Sequence, residues 1–220
     1  KMFKNIFKII QNYRYDFKSS IIHTLNKKIF KRFNLKLEKE FSTKERLDIN
    51  FENFINIAKN YSMCSFESQK NIVDSVSYIA RNNIEGDFVE CGVWKGGNLL
   101  LLELVSKHLN LKKNIYGYDL FDNMPEGGEH DVDKYGKKPS YYENNPNLNN
   151  SWCKASIEQV KDVINQYSNN HNISLIKGDV CSTLKLIKNT SKISLLRLDT
   201  DFYESTKFEL EILFPKLSKG

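Results

Sequence analysis

Four cysteines, four prolines, four histidines and ten glycines are all that 220 residues supply of the types that shape small or specialised folds. The cysteines, Cys64, Cys91, Cys153 and Cys181, stand far apart. They form neither the dense framework of a small secreted domain nor the paired spacing of a zinc site, and such sparse use suits a reducing cytoplasm. So little glycine and proline excludes collagen-like and low-complexity chains. No run approaches the roughly 18 consecutive apolar residues of a membrane span. The N-terminus lacks the charged, apolar and small-residue layout of a secretion signal, and no solenoid period is present. What is there is apolar material for one sizeable core, 40% of the residues.

Charge is unevenly spread. Residues 1–46 carry 13 Lys/Arg against 4 Asp/Glu, and the remainder carries 20 against 23, so the net +6 belongs to the N-terminus. The larger part is mildly acidic and has no nucleic-acid footprint. In the basic part, Phe3, Ile6, Phe7, Ile10, Tyr13 and Phe17, then Ile21, Ile22, Leu25, Ile29 and Phe33, recur at helical spacing with lysines between them. An amphipathic helix of this kind packs on its own domain, lies on an anionic membrane surface or meets a partner subunit. Residues 1–60 are accordingly expected to form a basic helical extension to a domain spanning 61–220.

At the end of the extension Phe51 to Lys59 reads as a helix, and Tyr61 to Ser65 reads as a loop. Ser65 reads as the cap of a helix reaching Arg81, whose Ile72, Val73, Val76 and Ile79 fall on one face. The most informative stretch is Asp87-Phe-Val-Glu-Cys-Gly-Val-Trp-Lys-Gly-Gly97. A short apolar strand ends in Glu90, turns through Gly92, Gly96 and Gly97, and opens a leucine-rich helix from Asn98 to Val105. Strand, acid, glycine turn, helix brings backbone close to a ligand at a strand's carboxyl end. The spacing Glu-x-Gly-x-x-x-Gly-Gly is not the Gly-x-Gly-x-x-Gly of a dinucleotide site. An acid there suits a cationic or hydrogen-donating ligand group, such as the amino group of S-adenosylmethionine.

Three further strands end in acids: Asn114 to Asp119, Ile173 to Asp179, and Ser194 to Asp199 with Asp201 two residues on. One acid after a strand is commonly a cap or turn residue, but four in succession point to a ligand. By the logic of nucleotide folds, Asp119 is placed for a ribose diol and Asp179 for the region of an adenine. Alternating strands and helices imply an α/β doubly wound sheet. A polar stretch without periodicity interrupts it at 125–151 and carries His130 and Asp131, candidates for contact with a second substrate.

Together these segments resemble the macrocin O-methyltransferase (TylF-like) family, S-adenosylmethionine- and Mg2+-dependent enzymes that methylate sugar hydroxyls. The match is carried by Tyr61-Ser-Met-Cys-Ser65, Gly86 to Gly97, Gly117-Tyr-Asp-Leu-Phe-Asp-Asn-Met-Pro125, Lys177-Gly-Asp-Val180, Leu195 to Thr206, and Phe214 to Gly220. Asn98 stands at a usual serine and Asn123 at a usual glycine. The resemblance implies a Rossmann-like class I methyltransferase sheet in the order 3-2-1-4. It places Glu90, Gly92, Gly96, Gly97 and Asn98 around the methionine part of the cofactor, Asp119 at the ribose and Asp179 at the adenine. Met63 and Ser65 would close over it, and Asp199 would bind Mg2+. Asp201 would support Asp199 or act as base; its alternative is to cap the helix from Tyr203.

A small-molecule or glycan acceptor follows from the same resemblance, and a homo-oligomer is compatible with it. The family continues beyond the Ser218-Lys-Gly220 turn into a strand ending in an Asp-Asp pair that completes the metal site. Because the chain begins Lys1-Met2 and stops at Gly220, a longer parent protein is expected, with these residues alone inactive. Two other classes stay open. One is a nucleotide-dependent oxidoreductase, which the glycine spacing disfavours. The other is a non-catalytic nucleotide-binding or assembly protein that retains the fold.

Overall fold

The computed structural model describes residues 48–122, 127–139, 141, 154–168, 172–186 and 192–220. The basic amphipathic segment read from the sequence, Trp152, Cys153 and Asn123 lie outside the described residues, as does much of the 125–151 insert. The chain divides into two units, Lys1–Arg46 and Leu47–Gly220, and all described residues belong to the second.

Local signals account for the helices. In α1 (Ile49–Ala58), Asp48 caps the first turn by accepting the Asn50 amide, and Ile55 and Ala58 enter the core. Residues 49–58, assigned by sequence to the extension, therefore pack with the domain. In α2 (Phe66–Arg81), Ser65 accepts the Ser68 amide, while Ile72, Val73, Val76 and Ile79 turn inward at the spacing of one helical face. The next helix, α3 (Gly97–His108), is longer than the leucine run predicts, and Leu99 to Leu102 and Val105 are fully buried. A helix buried on nearly all sides, its polar Asn98, Glu103 and Ser106 included, needs cover all round, and α1, α2, α4 and the sheet supply it. Each of the apolar side chains contributes about 1.5–3 kcal/mol of burial. The capping box of α4 (Ile157–Tyr167) pairs Ser156 with Gln159 reciprocally. A single turn, α5 (Val180–Thr183), and α6 (Tyr203–Leu213) follow.

The strands are β1 (Asp87–Cys91), β2 (Ile115–Asp119), β3 (Ile173–Lys177) and β4 (Ile193–Leu198). All pair in parallel, in the order β3-β2-β1-β4 expected from the sequence. Alternation along β1 feeds two cores. Phe88 joins Leu99, Leu102, Val76 and Val160 on one face, and Val89 and Cys91 join Tyr118, Val180 and Leu213 on the other. The order reverses between β1 and β4, leaving a crevice at their carboxyl ends. No helix among the described residues is long and apolar enough to cross a membrane.

Candidate active site

Over that crevice lies a cavity of about 360 Å3, walled by the turns after all four strands, by residues 62–64 and by Gly128 and Asp131 of the insert. Met63, Gly92, Asn98, Asp119, Asp131, Asp179, Asp199 and Asp201 line it, so eight of the residues singled out by sequence come together. Ser65, Glu90, Gly96 and Gly97 do not line it, and the structure gives each a different employment. Ser65 caps α2. A Cβ on Gly96 would lie 2.8 Å from Val160 Cγ1, and one on Gly97 would meet the backbone of Ala58 and Tyr61. Both glycines let α3 press against its neighbours. Gly92 serves a close approach of another kind: at φ +85°, its missing Cβ makes room for the Asp199 carbonyl.

Asp119 is the keystone of the first two turns. Its Oδ2 accepts the Val93 and Trp94 amides at 2.7 and 2.9 Å, and its Oδ1 accepts the Phe121 amide at 2.7 Å. Trp94 and Phe121 both sit at positive φ, 48° each, a conformation these three hydrogen bonds help to hold. Asp179 caps α5 through the Cys181 amide at 3.1 Å. The residue lines the cavity beside Gly178 and Val180.

Beneath the wall runs a charged network centred on Arg197. Glu90 and Arg197 are register partners on β1 and β4. Glu90 is fully buried, and Arg197 Nη1 donates to its Oε1 at 2.7 Å. Burial pushes the Glu90 carboxyl up to about 7, against the pull of the guanidinium. Arg197 Nη2 also reaches Asp199 Oδ2 at 2.8 Å and Cys64 Sγ at 2.9 Å. Asn98 donates to the same sulfur at 3.4 Å and accepts from Ser62 Oγ at 3.1 Å. Sequence reasoning missed Arg197 and Cys64, although an arginine inside the apolar run Leu195-Leu-Arg-Leu198 is a usable signal, because a guanidinium drawn largely out of water needs a carboxylate.

At the β4 end, Asp201 sits at φ +66° and is exposed. Its carboxyl is nonetheless raised, first by loss of water at the cavity and then by the charge of Asp199. Phe202, not Asp201, is the cap position of α6, and it makes no side-chain cap hydrogen bond. The Tyr203 amide instead donates to Asp131 Oδ1 at 2.8 Å, and His130 packs its ring 4.7 Å from that of Tyr203. His130 and Asp131 are thus tied to α6 on the β4 side of the cavity. Among the described residues, no three His, Cys, Asp or Glu side chains converge as a metal site would require.

The family model described as Macrocin-O-methyltransferase (TylF) matches residues 6–220. Over 164 residues the chain is 29% identical to the 8-demethyl-8-(2,3-dimethoxy-alpha-L-rhamnosyl)-tetracenomycin-C 4'-O-methyltransferase of Streptomyces olivaceus, covering 73% of this chain and 59% of that protein. It is likewise 29% identical over 167 residues to the demethyldecarbamoylnovobiocin O-methyltransferase of Streptomyces niveus, covering 74% and 60%. The chain therefore spans about three-fifths of the length of these curated relatives. Among solved structures, the O-methyltransferase NovP matches with a TM-score of 0.62 at 27% identity, covering 73% of this chain and 64% of that one. The calicheamicin methyltransferase CalS11 matches in fold, with a TM-score of 0.50 at 19% identity over 85% and 78% of the two chains.

Proposed function

The chain belongs to the macrocin O-methyltransferase family, and from that premise we propose that it transfers the methyl group of S-adenosylmethionine to a hydroxyl oxygen on a sugar borne by a small molecule. The observation that carries this reading is the position of the cavity. It crosses the carboxyl ends of all four strands where their order reverses, with a carboxylate from the end of β2, β3 and β4 on its wall. Ligands of doubly wound sheets bind at that point.

The lining fits the cofactor. Val93, Leu120 and Val180 offer apolar surface for an adenine, and Asp179 stands beside them to accept from its amine. Asp119 Oδ1 accepts one amide only, which leaves accepting capacity for a ribose hydroxyl. Trp94, on the lining turn after β1, has a buried Nε1 donor with no partner among the described residues. Carboxylates on every side favour a ligand of positive charge. When bound, S-adenosylmethionine supplies a methyl group made electrophilic by its sulfonium.

The protein's residues do the rest. The turn after β1 and the Ser62–Cys64 wall orient the cofactor and exclude water. The acceptor hydroxyl lies toward Asp131, Phe202 and Ser205, and Asp201, with its raised carboxyl, takes the proton that the hydroxyl releases. For the Mg2+ that the resemblance implies, Asp199 is the candidate ligand. Its Oδ2 is already taken by Arg197, and the described residues add no converging set around it. The described residues by themselves do not make a cation site.

Two measurements test the proposal. Titration calorimetry with S-adenosylmethionine and S-adenosylhomocysteine is expected to give one site per chain for each. Radiolabelled methyl donor, offered with a panel of glycosylated small molecules, is expected to label the sugar. Binding of NAD(H) in place of either adenosyl ligand would move the reading to an oxidoreductase.

A further inference from the structure

Arg197 contacts three segments that the chain keeps far apart: Glu90 in β1, Asp199 after β4, and Cys64 in the loop before α2. Two of its partners, Asp199 and Cys64, line the cavity. Glu90 lies fully buried behind it. A guanidinium is planar and carries its donors in a fixed fork. Once Nη1 is anchored on Glu90, the direction of Nη2 is set, and with it the positions of the carboxylate and the sulfur that Nη2 holds.

We propose that Arg197 is a positioning residue for the transfer reaction, fixing both the Asp199 carboxylate and the Ser62–Cys64 wall against the buried Glu90. The inference rests on the functional reading above and adds a role which that reading does not need.

Each partner requires such a hold. Asp199 is the exposed member of the ion pair, with 46% of its side chain accessible, and an exposed carboxylate turns freely unless pinned. The Ser62–Cys64 loop has few other ties. The Cys64 amide donates to Ser62 Oγ at 3.1 Å, and both side chains lean on Asn98. Met63 between them is 56% exposed on the cavity wall, so nothing buried fastens it. Register provides the anchor, because the Glu90 and Arg197 backbones pair directly across β1 and β4. The two walls of the cavity are thereby referred to one rigid pair of strands. A lysine at 197 would keep the charge but end in a single ammonium on a flexible stem, without the fork.

The test must separate positioning from simple neutralisation of Glu90. Arg197→Met leaves a buried carboxylate without its counter-charge and is expected to be unstable. The double variant Glu90→Gln with Arg197→Met removes both charges, and Arg197→Lys retains one. Three readouts apply to each: the thermal midpoint, the affinity for S-adenosylmethionine, and the alkylation rate of Cys64 by iodoacetamide, followed by peptide mass. In the double variant the midpoint is expected to return close to wild type. The affinity should stay about tenfold or more weaker, the scale of one lost charge-assisted contact, while Cys64 alkylates several-fold faster. Arg197→Lys should fold, share the weaker binding and share the faster alkylation, which keeps the test decisive if the double variant does not fold. Wild-type binding and wild-type alkylation in either folded variant would reduce Arg197 to a counter-ion and overturn the proposal. If wild-type protein does not bind S-adenosylmethionine, the functional reading fails, and the alkylation arm still reports whether Arg197 holds the loop.

Discussion

Asp131 Oδ1 accepts the amide of Tyr203 at 2.8 Å, so the first turn of α6 is capped by a side chain 72 residues earlier in the chain. Asp131 also accepts the Gly128 amide through Oδ2 at 2.6 Å, which makes it the fastening between insert and helix. Asp131→Ala is expected to lower the unfolding free energy by about 0.5–2 kcal/mol, the range for a lost cap. Asp131→Asn should lose less, because its one amide oxygen can still accept from Tyr203 while the NH2 group gives up only the Gly128 contact. Chemical denaturation of the two variants checks this, and equal losses would remove the cap from the account.

The second prediction concerns pH and the buried glutamate of α6. Glu209 is fully buried, with one oxygen accepting from Thr200 Oγ1 at 3.1 Å and the other without a partner. Burial pushes its carboxyl up to about 7, with the Thr200 hydroxyl and the neighbouring Cys91 thiol pulling the other way. Because the folded state holds this proton more tightly than the unfolded state, the native protein binds more protons between the two values. Its stability therefore falls as pH rises from the ordinary carboxyl range toward 7. Glu209→Gln should be more stable than wild type at pH 8, by roughly 1–3 kcal/mol. The gap should close on acidification to about pH 4.5, the unperturbed carboxyl range. Denaturation midpoints across that window test it, and a constant gap would show that the gain is not protonic.

Gly92→Ala should be among the costliest single changes, because φ +85° is combined with a backbone carbonyl, that of Asp199, where the methyl would go. A loss of roughly 2–5 kcal/mol is expected. Gly136→Ala provides the comparison: its φ is +74°, but nothing lies within 4 Å of the new methyl, so only the backbone strain of about 1 kcal/mol remains. Similar losses at the two positions would mean that the steric clash at Gly92 relaxes easily.

Asp119→Asn replaces one accepting oxygen with an NH2 group that cannot accept. Whichever way the amide turns, at least one of the Val93, Trp94 and Phe121 amides loses its partner. The expected result is about 1–3 kcal/mol of lost stability, with weaker binding of S-adenosylmethionine as the turn after β1 loosens. Calorimetry and thermal unfolding on one preparation would show both, and unchanged values would release Asp119 from the site.

The sheet was legible because its signals are local. Strand ends, the Ser65 cap and the amphipathic face of α2 each announce themselves within a few residues, and parallel order follows from alternation and family resemblance. The site was legible where an acid closes a strand, as at Asp119, Asp179 and Asp199. What sequence could not give depends on register. The Glu90–Arg197 pair exists because β4 slides against β1 in one alignment, and no local pattern encodes a partner 107 positions away. The employment of Gly96 and Gly97 was hidden for the same reason, since the atoms they make room for, on Val160, Ala58 and Tyr61, come from other elements. Capping of α6 stood as the alternative role of Asp201, but the acceptor for the Tyr203 amide comes from Asp131, far away in the chain.

Because one carboxylate holds the amides of Val93, Trp94 and Phe121, the turns after β1 and β2 are mechanically a single object. Neither can lift away without releasing the other, and two left-handed residues make both prone to spring open once released. In a hydrogen-exchange experiment these three protons would leave together, as one cooperative unit, although 28 positions separate the first from the last in the chain. A ligand that settles on either turn would slow the exchange of both.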